Sequence, residues 1–548
     1  MGTLDVPPDT ASAGLAHGRL GAGSAAFLGA AAAAPFVTVV LAAPPLLAAG
    51  AGPLAALCVG AVAVVLLLFG TPYAAMIRRG PSAGAAYPQI ARGLGRPAAL
   101  TGAWLALAGY HAVQLGLYAL TGQAAAPLLH SWFGVTPPWW AMAAGCWVVV
   151  AGCGTLRVEA AAAVVAVLTV AEVAVLSGLA AANVVRPAGG RIGTGTFLPG
   201  DVSGIDRPLL GLLLAAAVLG FAGFETTGVY AEEARDPRRA PGRAARLSVL
   251  LLALLLAGAI WSLIVGAGPR GVAGLAATRG PELLFALAGD RLAPWAVTIG
   301  RLMLLTGLLA AILAVHHVIA RYLFALGRER VLPGVLADVS PRTRAPRAAS
   351  LAQSLIAGAA LTGAVLAGAE ESIRTARWLA IGGGLAVLVL LLLAAVAALL
   401  HLNRVPGGEN LWTRFVAPVL STVSLGVLLQ LACLNLRGLL GVPAGSPWVR
   451  VVAAGLAACP VAGLGHALVL RWLRPVRYAG IGLGGAAVVV TPRPAAGEGA
   501  GDPVASRRES APPEGGPAPR VPRQRTPGAH RPERVRSEEA DGSRRVSG

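Results

Sequence analysis

Two carboxylates lie where an apolar sequence leaves them little company. Glu225 follows Gly220-Phe221-Ala222-Gly223-Phe224, and Glu172 follows Val167-Leu168-Thr169-Val170-Ala171. An acid in apolar surroundings is costly unless it is paired, hydrogen-bonded or protonated. Two readings are open for each: a group that trades a proton as its access to water changes, or a hydrogen bond to a neighbouring helix. A third feature belongs to the backbone, in Ala31-Ala32-Ala33-Ala34-Pro35-Phe36-Val37-Thr38. Pro35 has no amide hydrogen, so the helical bond to the Ala31 carbonyl cannot form. The four alanines leave the backbone there uncovered. Tyr110, Gln114 and Tyr118 share one helical face, beside His111, and either line a cavity or bond neighbouring helices. His316 and His317 are adjacent, point to different faces, and make a poor metal pair. The five cysteines sit in apolar runs without a C-x-x-C and read as buried thiols. No Ser/His/Asp arrangement or zinc motif is present, and a chain without lysine has no Walker lysine. No catalytic group, metal or cofactor is therefore assigned.

The elements that must hold these residues are set by composition. Of 548 residues 56% are hydrophobic and 13% charged, where a soluble domain carries roughly a quarter charged. The mean hydropathy is +0.70. This excludes a soluble enzyme, a disordered chain or a nucleic-acid binder as the main body. Lipid is the solvent such a chain requires, and apolar runs of ~20 residues cross it as helices. The pattern predicts an all-α integral membrane protein with twelve spans, near 25–46, 50–76, 97–126, 138–156, 159–182, 208–230, 246–267, 295–325, 348–368, 378–402, 412–436 and 448–472. The proline break falls in span one and the Gly220/Gly223 break in span six. Interrupted segments at corresponding positions of two halves point to a transport site near the bilayer midplane.

Every one of the 44 basic residues is arginine. With the N-terminus inside, the inner segments hold 18 arginines before the tail and the outer loops 10. The positive-inside rule then places both termini in the cytoplasm. Arg78, Arg79, Arg92 and Arg96 make one inner cluster, and Arg235, Arg238, Arg239, Arg243 and Arg246 another. Trp132, Trp139 and Trp140 read as interface anchors at an outer hinge. Residues 1–24 form a cytoplasmic segment in which no cleavable signal peptide is expected. Residues 25–475 form the membrane domain, and 476–548 a basic, Gly/Pro/Arg-rich tail expected to be disordered. From Arg471 onward the chain carries 14 arginines against 8 acids. Gly480, Gly482 and Gly485 match G-x-G-x-x-G, but no buried strand precedes them and the dinucleotide reading is set aside.

Three motifs carry a family resemblance. Pro81-Ser82-Ala83-Gly84-Ala85-Ala86-Tyr87, followed by Leu94-Gly95, resembles P-x-A-G-x-x-Y. Gly223-Phe224-Glu225 running on to Glu232-Glu233-Ala234-Arg235-Asp236-Pro237-Arg238-Arg239-Ala240-Pro241 resembles G-[FV]-E…E-E-x-x-[DN]-P-x-R-x-x-P. Arg321-Tyr322-Leu323-Phe324-Ala325-Leu326-Gly327-Arg328-Glu329-Arg330-Val331-Leu332-Pro333 resembles R-x-x-[FY]-A-x-[AG]-R-[DE]-G-x-L-P. In this order, over about 20–475, they resemble the permeases of the amino acid–polyamine–organocation (APC) superfamily. The resemblance implies a leucine-transporter-like fold with five-plus-five inverted repeats, two extra helices, and helices 1 and 6 interrupted. It implies a substrate held between those interruptions, by Ala32, Ala33, Ala34, Pro35, Phe36 and Thr38 on one side. On the other side stand Leu219, Phe221, Ala222, Gly223 and Phe224. Glu225 matches the family's acid, implying gating or proton linkage, and Glu172 stands where some proton-coupled members carry a lysine. The family's first-helix G-x-G-[IV]-F is replaced by Ala31–Phe36, and Pro35 offers no amide to a carboxylate. Arg330 replaces the usual glycine of R-[DE]-G. A sodium site of related folds uses two adjacent hydroxyls on span eight; Thr306-Gly307 supplies one, which favours protons.

The expected function is proton-linked secondary transport of an amino acid across the plasma membrane by alternating access. Its partners are the amino acid, protons and the bilayer. Arginine-only usage fits a GC-rich bacterial genome, and hence the plasma membrane. A polyamine or organic-cation permease and an amino acid exchanger are the alternatives within transport. A membrane ligand sensor is the alternative outside it. Glu232 and Glu233 are expected to anchor to loop arginines.

Overall fold

The computed structural model describes residues 14–198, 206–368 and 373–484. In an apolar solvent the backbone must satisfy itself, and among the described residues it does so as helix, with one isolated parallel bridge between Leu20 and Ala234. The first span starts as α1 (Ala22–Ala32), breaks, and resumes as Pro35–Val37, the π-turn Thr38–Ala42 and Ala43–Ala48. Then come α2 (Leu54–Arg79), the short amphipathic α3 (Ala86–Leu94), α4 (Arg96–Phe133), α5 (Trp139–Cys153) and α6 (Val158–Val185). The sixth span is α7 (Arg207–Gly220) continued by a 3-10 stretch, Phe224–Glu233. After α8 (Ala240–Ala267), α9 (Val272–Arg279) and α10 (Leu283–Gly289) cap one end. The chain closes with α11 (Pro294–Arg328), α12 (Arg347–Leu366), α13 (Ile373–Arg404), α14 (Ala417–Leu434), α15 (Pro447–Leu473) and α16 (Pro475–Ala479).

Ten of the described helical spans are long and apolar enough to cross a membrane. The other two expected spans fall on α4 and α5. At 15 residues α5 reaches about 22 Å, short of the ~30 Å hydrocarbon core. In α4, 38 residues long, apolarity is diluted by Tyr110, His111, Gln114, Gln123 and His130. Small residues let helices approach closely. At Gly109 of α4 an added Cβ would lie 3.0 Å from the Gly383 carbonyl of α13.

The bundle has two ends that its polar contacts identify. At the end carrying the N-terminus, Arg79 grips Glu409 in a bidentate pair (Nε–Oε1 3.0 Å, Nη2–Oε2 2.5 Å). That guanidinium holds the Glu409 carboxyl down at about 2. At the opposite end Arg291 donates to the carbonyls of Arg186 and Gly266 at 3.0 and 2.6 Å. Arg377 Nη2 likewise donates to the Leu440 carbonyl at 2.6 Å. The expected tail begins differently from its composition: residues 476–484 are built onto the N-terminal face, where Ile481 is buried in the main core. Residues 485–548, and Gly485 with them, lie outside the described residues.

Candidate functional site

The first-span break forms as the missing amide of Pro35 requires. Ala33 and Ala34 amides turn back to the Ala30 and Ala31 carbonyls at 3.2 and 2.9 Å, tightening the last turn. Ala34 then takes a left-handed conformation, φ 47° and ψ 60°, and Pro35 starts the next helical stretch. The first amide after the break, on Phe36, has no carbonyl one turn back to receive it. It donates instead to Glu172 Oε1 at 3.0 Å. Glu172 is 1% exposed and reaches across from α6. Gly307 of α11 makes room for it: an added Cβ there would lie 2.9–3.0 Å from the carboxyl atoms. Thr306 Oγ1 turns back to the Met303 carbonyl at 3.4 Å. Glu172 Oε2 has no hydrogen-bond partner among the described residues.

The sixth-span break is built on Gly223, at φ 132° and ψ −28°, a positive-φ conformation that favours glycine. An added Cβ would lie 2.6 Å from the Ala33 nitrogen and 2.7 Å from the Ala32 carbonyl carbon, so the two breaks touch backbone to backbone. The Gly223 amide donates to Glu225 Oε2 at 2.9 Å, and the Tyr110 hydroxyl to Glu225 Oε1 at 2.7 Å. The Tyr73 hydroxyl donates to the Glu225 carbonyl at 2.6 Å. The ten-residue 3-10 stretch that follows is long for its kind, which marks a strained or hinging segment. Replacing Gly223 by alanine is therefore expected to destabilise the purified protein by about 3 kcal/mol. Gly220→Ala is the control, because its added Cβ meets two side-chain methyls and no backbone, Thr38 Cγ2 at 3.2 Å and Leu256 Cδ1 at 3.8 Å. Equal unfolding midpoints for the two variants would refute this account of the break.

The structure brings Ala32, Ala33, Ala34, Pro35, Phe36, Phe221, Gly223 and Phe224 together as buried residues around the paired breaks. Phe224 meets Phe69 edge-on at 6.1 Å. Thr38, Leu219 and Ala222 are half-buried. Thr38 and Leu219 line a cavity of about 410 Å³ that opens toward the end opposite the N-terminus and includes Arg377. A neighbouring cavity of about 400 Å³ shares Val37 and Leu41 with it and reaches Phe285, Glu282 and Arg301. There Phe285 of α10 stacks over Phe36 at 6.3 Å, and Arg301 pairs with Glu282 at 2.5 Å. Tyr110 joins the site through Glu225. Gln114 does not: it is fully buried, its amide donates to the Ile312 carbonyl at 3.2 Å, and its oxygen accepts from Gln353. His316 bonds Ser350 Oγ at 2.9 Å, a helix-to-helix contact.

Beneath the breaks the N-terminal face is shut by ion pairs. Arg321 pairs with Glu233 (Nε–Oε2 2.6 Å, Nη2–Oε1 2.9 Å), both fully buried. Arg328 pairs with Glu232 at 2.7 and 2.9 Å, and Glu232 also accepts the Ala83 amide at 2.9 Å. The chain before α1 is stitched in by Arg19 and Leu20 amides on the Glu233 carbonyl, at 2.8 and 3.0 Å. The adjacent glutamates anchor to arginines, but not to the loop arginines expected: both partners belong to α11, Arg328 at its end and Arg321 inside it. No sequence signal identified Tyr73, Arg321 or Phe285 as partners. The hydroxyl of a tyrosine in an apolar helix was the available sign, since buried phenols find acceptors.

These contacts assemble two interrupted helices with an acid bonded to each break, Glu172 from α6 and Glu225 from the sixth span itself, with a closed face below and cavities above. The family model described as Amino acid permease matches residues 20–449. An uncharacterized transporter of Mycobacterium bovis and two of Mycobacterium tuberculosis are each 30% identical over 168 residues. That stretch is 30% of this chain and 37% of each relative, so the match spans little more than a third of the relatives' length. With the three motifs in register and most of the chain matched, the protein is a multi-pass membrane protein belonging to the amino acid permease family of the APC superfamily.

Proposed function

We propose that this protein carries an amino acid across the plasma membrane by alternating access, coupled to protons, with both termini in the cytoplasm. The observation that carries the reading is the direct contact of the two breaks, with Glu172 bonded to the first amide of one and Glu225 to the glycine amide of the other. Helix starts freed in this way favour anionic groups, and a substrate carboxylate suits such a place. In this reading α4 and α5 complete twelve spans, the breaks are equivalent positions of two inverted five-helix repeats, and Phe221 and Phe224 cover the substrate's side chain. The cavities beside Thr38 and Leu219 are then the outer approach, and the Glu232 and Glu233 pairs the closed inner gate. Glu172 and Glu225 gain and lose protons as water reaches them from alternate sides.

Uptake into proteoliposomes of labelled amino acids and polyamines, under a proton gradient, a sodium gradient or neither, tests this. Accumulation of an amino acid driven by protons alone is expected. Accumulation of a polyamine instead supports the cation permease, which the unpartnered oxygen of Glu172 favours, since an ammonium group would satisfy it. Saturable binding with neither accumulation nor exchange leaves the sensor.

A further inference from the structure

The segment after the last long helix, which composition assigns to a tail, sits in a made seat. Glu329, immediately beyond α11, is 4% exposed. Its Oε2 accepts the Gly482 amide at 2.9 Å and the Tyr87 hydroxyl, and its Oε1 accepts the Gly484 amide at 2.7 Å. Gly482 and Gly484 both have positive φ, 80° and 60°. Amides turned inward by such alternating conformations form a cradle for an anionic oxygen pair. Glycine is required at 482 for a second reason, because an added Cβ would overlap the Ala91 side chain of α3. Ile481, 2% exposed, is driven into the core between these bonds. Arg96, at the start of α4, donates to the Ala479 carbonyl at 3.0 Å and lies 5.5 Å over the Tyr478 ring.

The seat is continuous with the closed face. Glu329 follows Arg328, the partner of Glu232, and Glu232 accepts the Ala83 amide from the loop leading into α3. Gly484 lies over that same loop: an added Cβ would be 3.4 Å from Ser82 Oγ and 3.7 Å from Arg328 Nη2. We propose that residues 478–484 are a self-docking latch that ties α3 to the end of α11 and keeps the N-terminal face closed until it leaves its seat. Of the glycines that resemble a nucleotide fingerprint, Gly482 instead joins Gly484 in presenting an amide to the chain's own carboxylate. Opening of this face is the step alternating access requires, so the latch's effect on transport rests on the reading above; its docking does not.

Amide hydrogen exchange on the full chain in lipid nanodiscs tests the latch without a substrate. Gly482→Val blocks the seat sterically. Glu329→Gln keeps the volume but turns an amide group toward one of the two glycine amides. Tyr87→Phe leaves both glycine bonds and serves as the control. In both latch variants residues 80–94 and 233–236 are expected to exchange at least tenfold faster than in the wild type. The control is expected to match the wild type, and the cores of α2 and α13 to keep their protection in every variant. If Gly482→Val also loses protection in those cores it has misfolded, and Glu329→Gln alone decides. Release of 478–484 without faster exchange at 80–94 and 233–236 makes the segment passive packing and overturns the proposal. So does wild-type exchange of 478–484 at an unprotected rate. Release with faster exchange in a protein that moves no substrate would keep the latch and remove the transport reading.

Discussion

Glu172→Gln is expected to abolish proton-driven accumulation while sparing exchange. Glutamine keeps the oxygen that accepts the Phe36 amide at 3.0 Å, so the start of the second half of the first span remains satisfied. What glutamine lacks is the proton that, in the proposed function, the second carboxyl oxygen carries; that oxygen is partnerless among the described residues. With one proton per neutral substrate, a 100 mV potential supplies ~2.3 kcal/mol, or about a fortyfold gradient. In proteoliposomes at that potential the wild-type accumulation ratio should approach this figure and the variant's should fall to about one. Counterflow against preloaded substrate should persist within about threefold. Glu172→Ala differs, because it leaves the Phe36 amide without an acceptor, and both accumulation and counterflow should fail. Undiminished accumulation by Glu172→Gln would remove Glu172 from the coupling step. The proton would then pass through Glu225, whose carboxyl oxygens are held by Tyr110 and Gly223.

The breaks were legible in the sequence because their causes are local. A proline has no amide and a glycine pair tolerates positive φ, so residues 31–36 and 220–225 announce themselves within one helical turn. The partners of the site were not legible, because they come from far along the chain. Glu225 is joined by Tyr110, 115 residues away, and Phe36 by Glu172, 136 residues away. Periodicity marks a face of a helix without saying what that face meets, which is why Tyr110 and Gln114 shared a stripe and separated in the structure. Tyr110 reaches the acid, and Gln114, one turn on, meets the Ile312 carbonyl of α11. Apolar runs located the spans, but run length did not reveal that α5 is only 15 residues long. Composition assigned residues 476–484 to a tail. Composition averages over the four features that seat them, namely Ile481, two glycine amides and the Ala479 carbonyl.

Separating Arg321 from Glu233 is expected to cost more stability than any other single change at the N-terminal face. The pair is bidentate, at 2.6 and 2.9 Å, with side-chain exposures of 1% and 0%. Arg321 also donates to the His317 carbonyl at 3.1 Å and lies 4.5 Å over the Tyr230 ring. Removing one partner leaves a buried charge uncompensated, a loss of about 3–5 kcal/mol. Arg321→Met and Glu233→Gln should each lower the unfolding midpoint of the purified protein accordingly. The double variant should recover most of the loss, since two desolvated charges disappear together and their mutual attraction only offsets that desolvation. With single losses of about 3–5 kcal/mol each and a residual loss of about 2 kcal/mol in the double variant, the double-mutant cycle is therefore expected to give a coupling energy of about 4–8 kcal/mol. Function should separate from stability here. Without the pair, the stitching of residues 19–20 onto Glu233 has less to hold the face shut. The stable double variant should then leak substrate down its gradient in proteoliposomes while accumulating less of it. Additive losses, with the double variant as unstable as the two single changes combined, would show that the residues act separately and that the closure of this face rests on Arg328 and Glu232 instead.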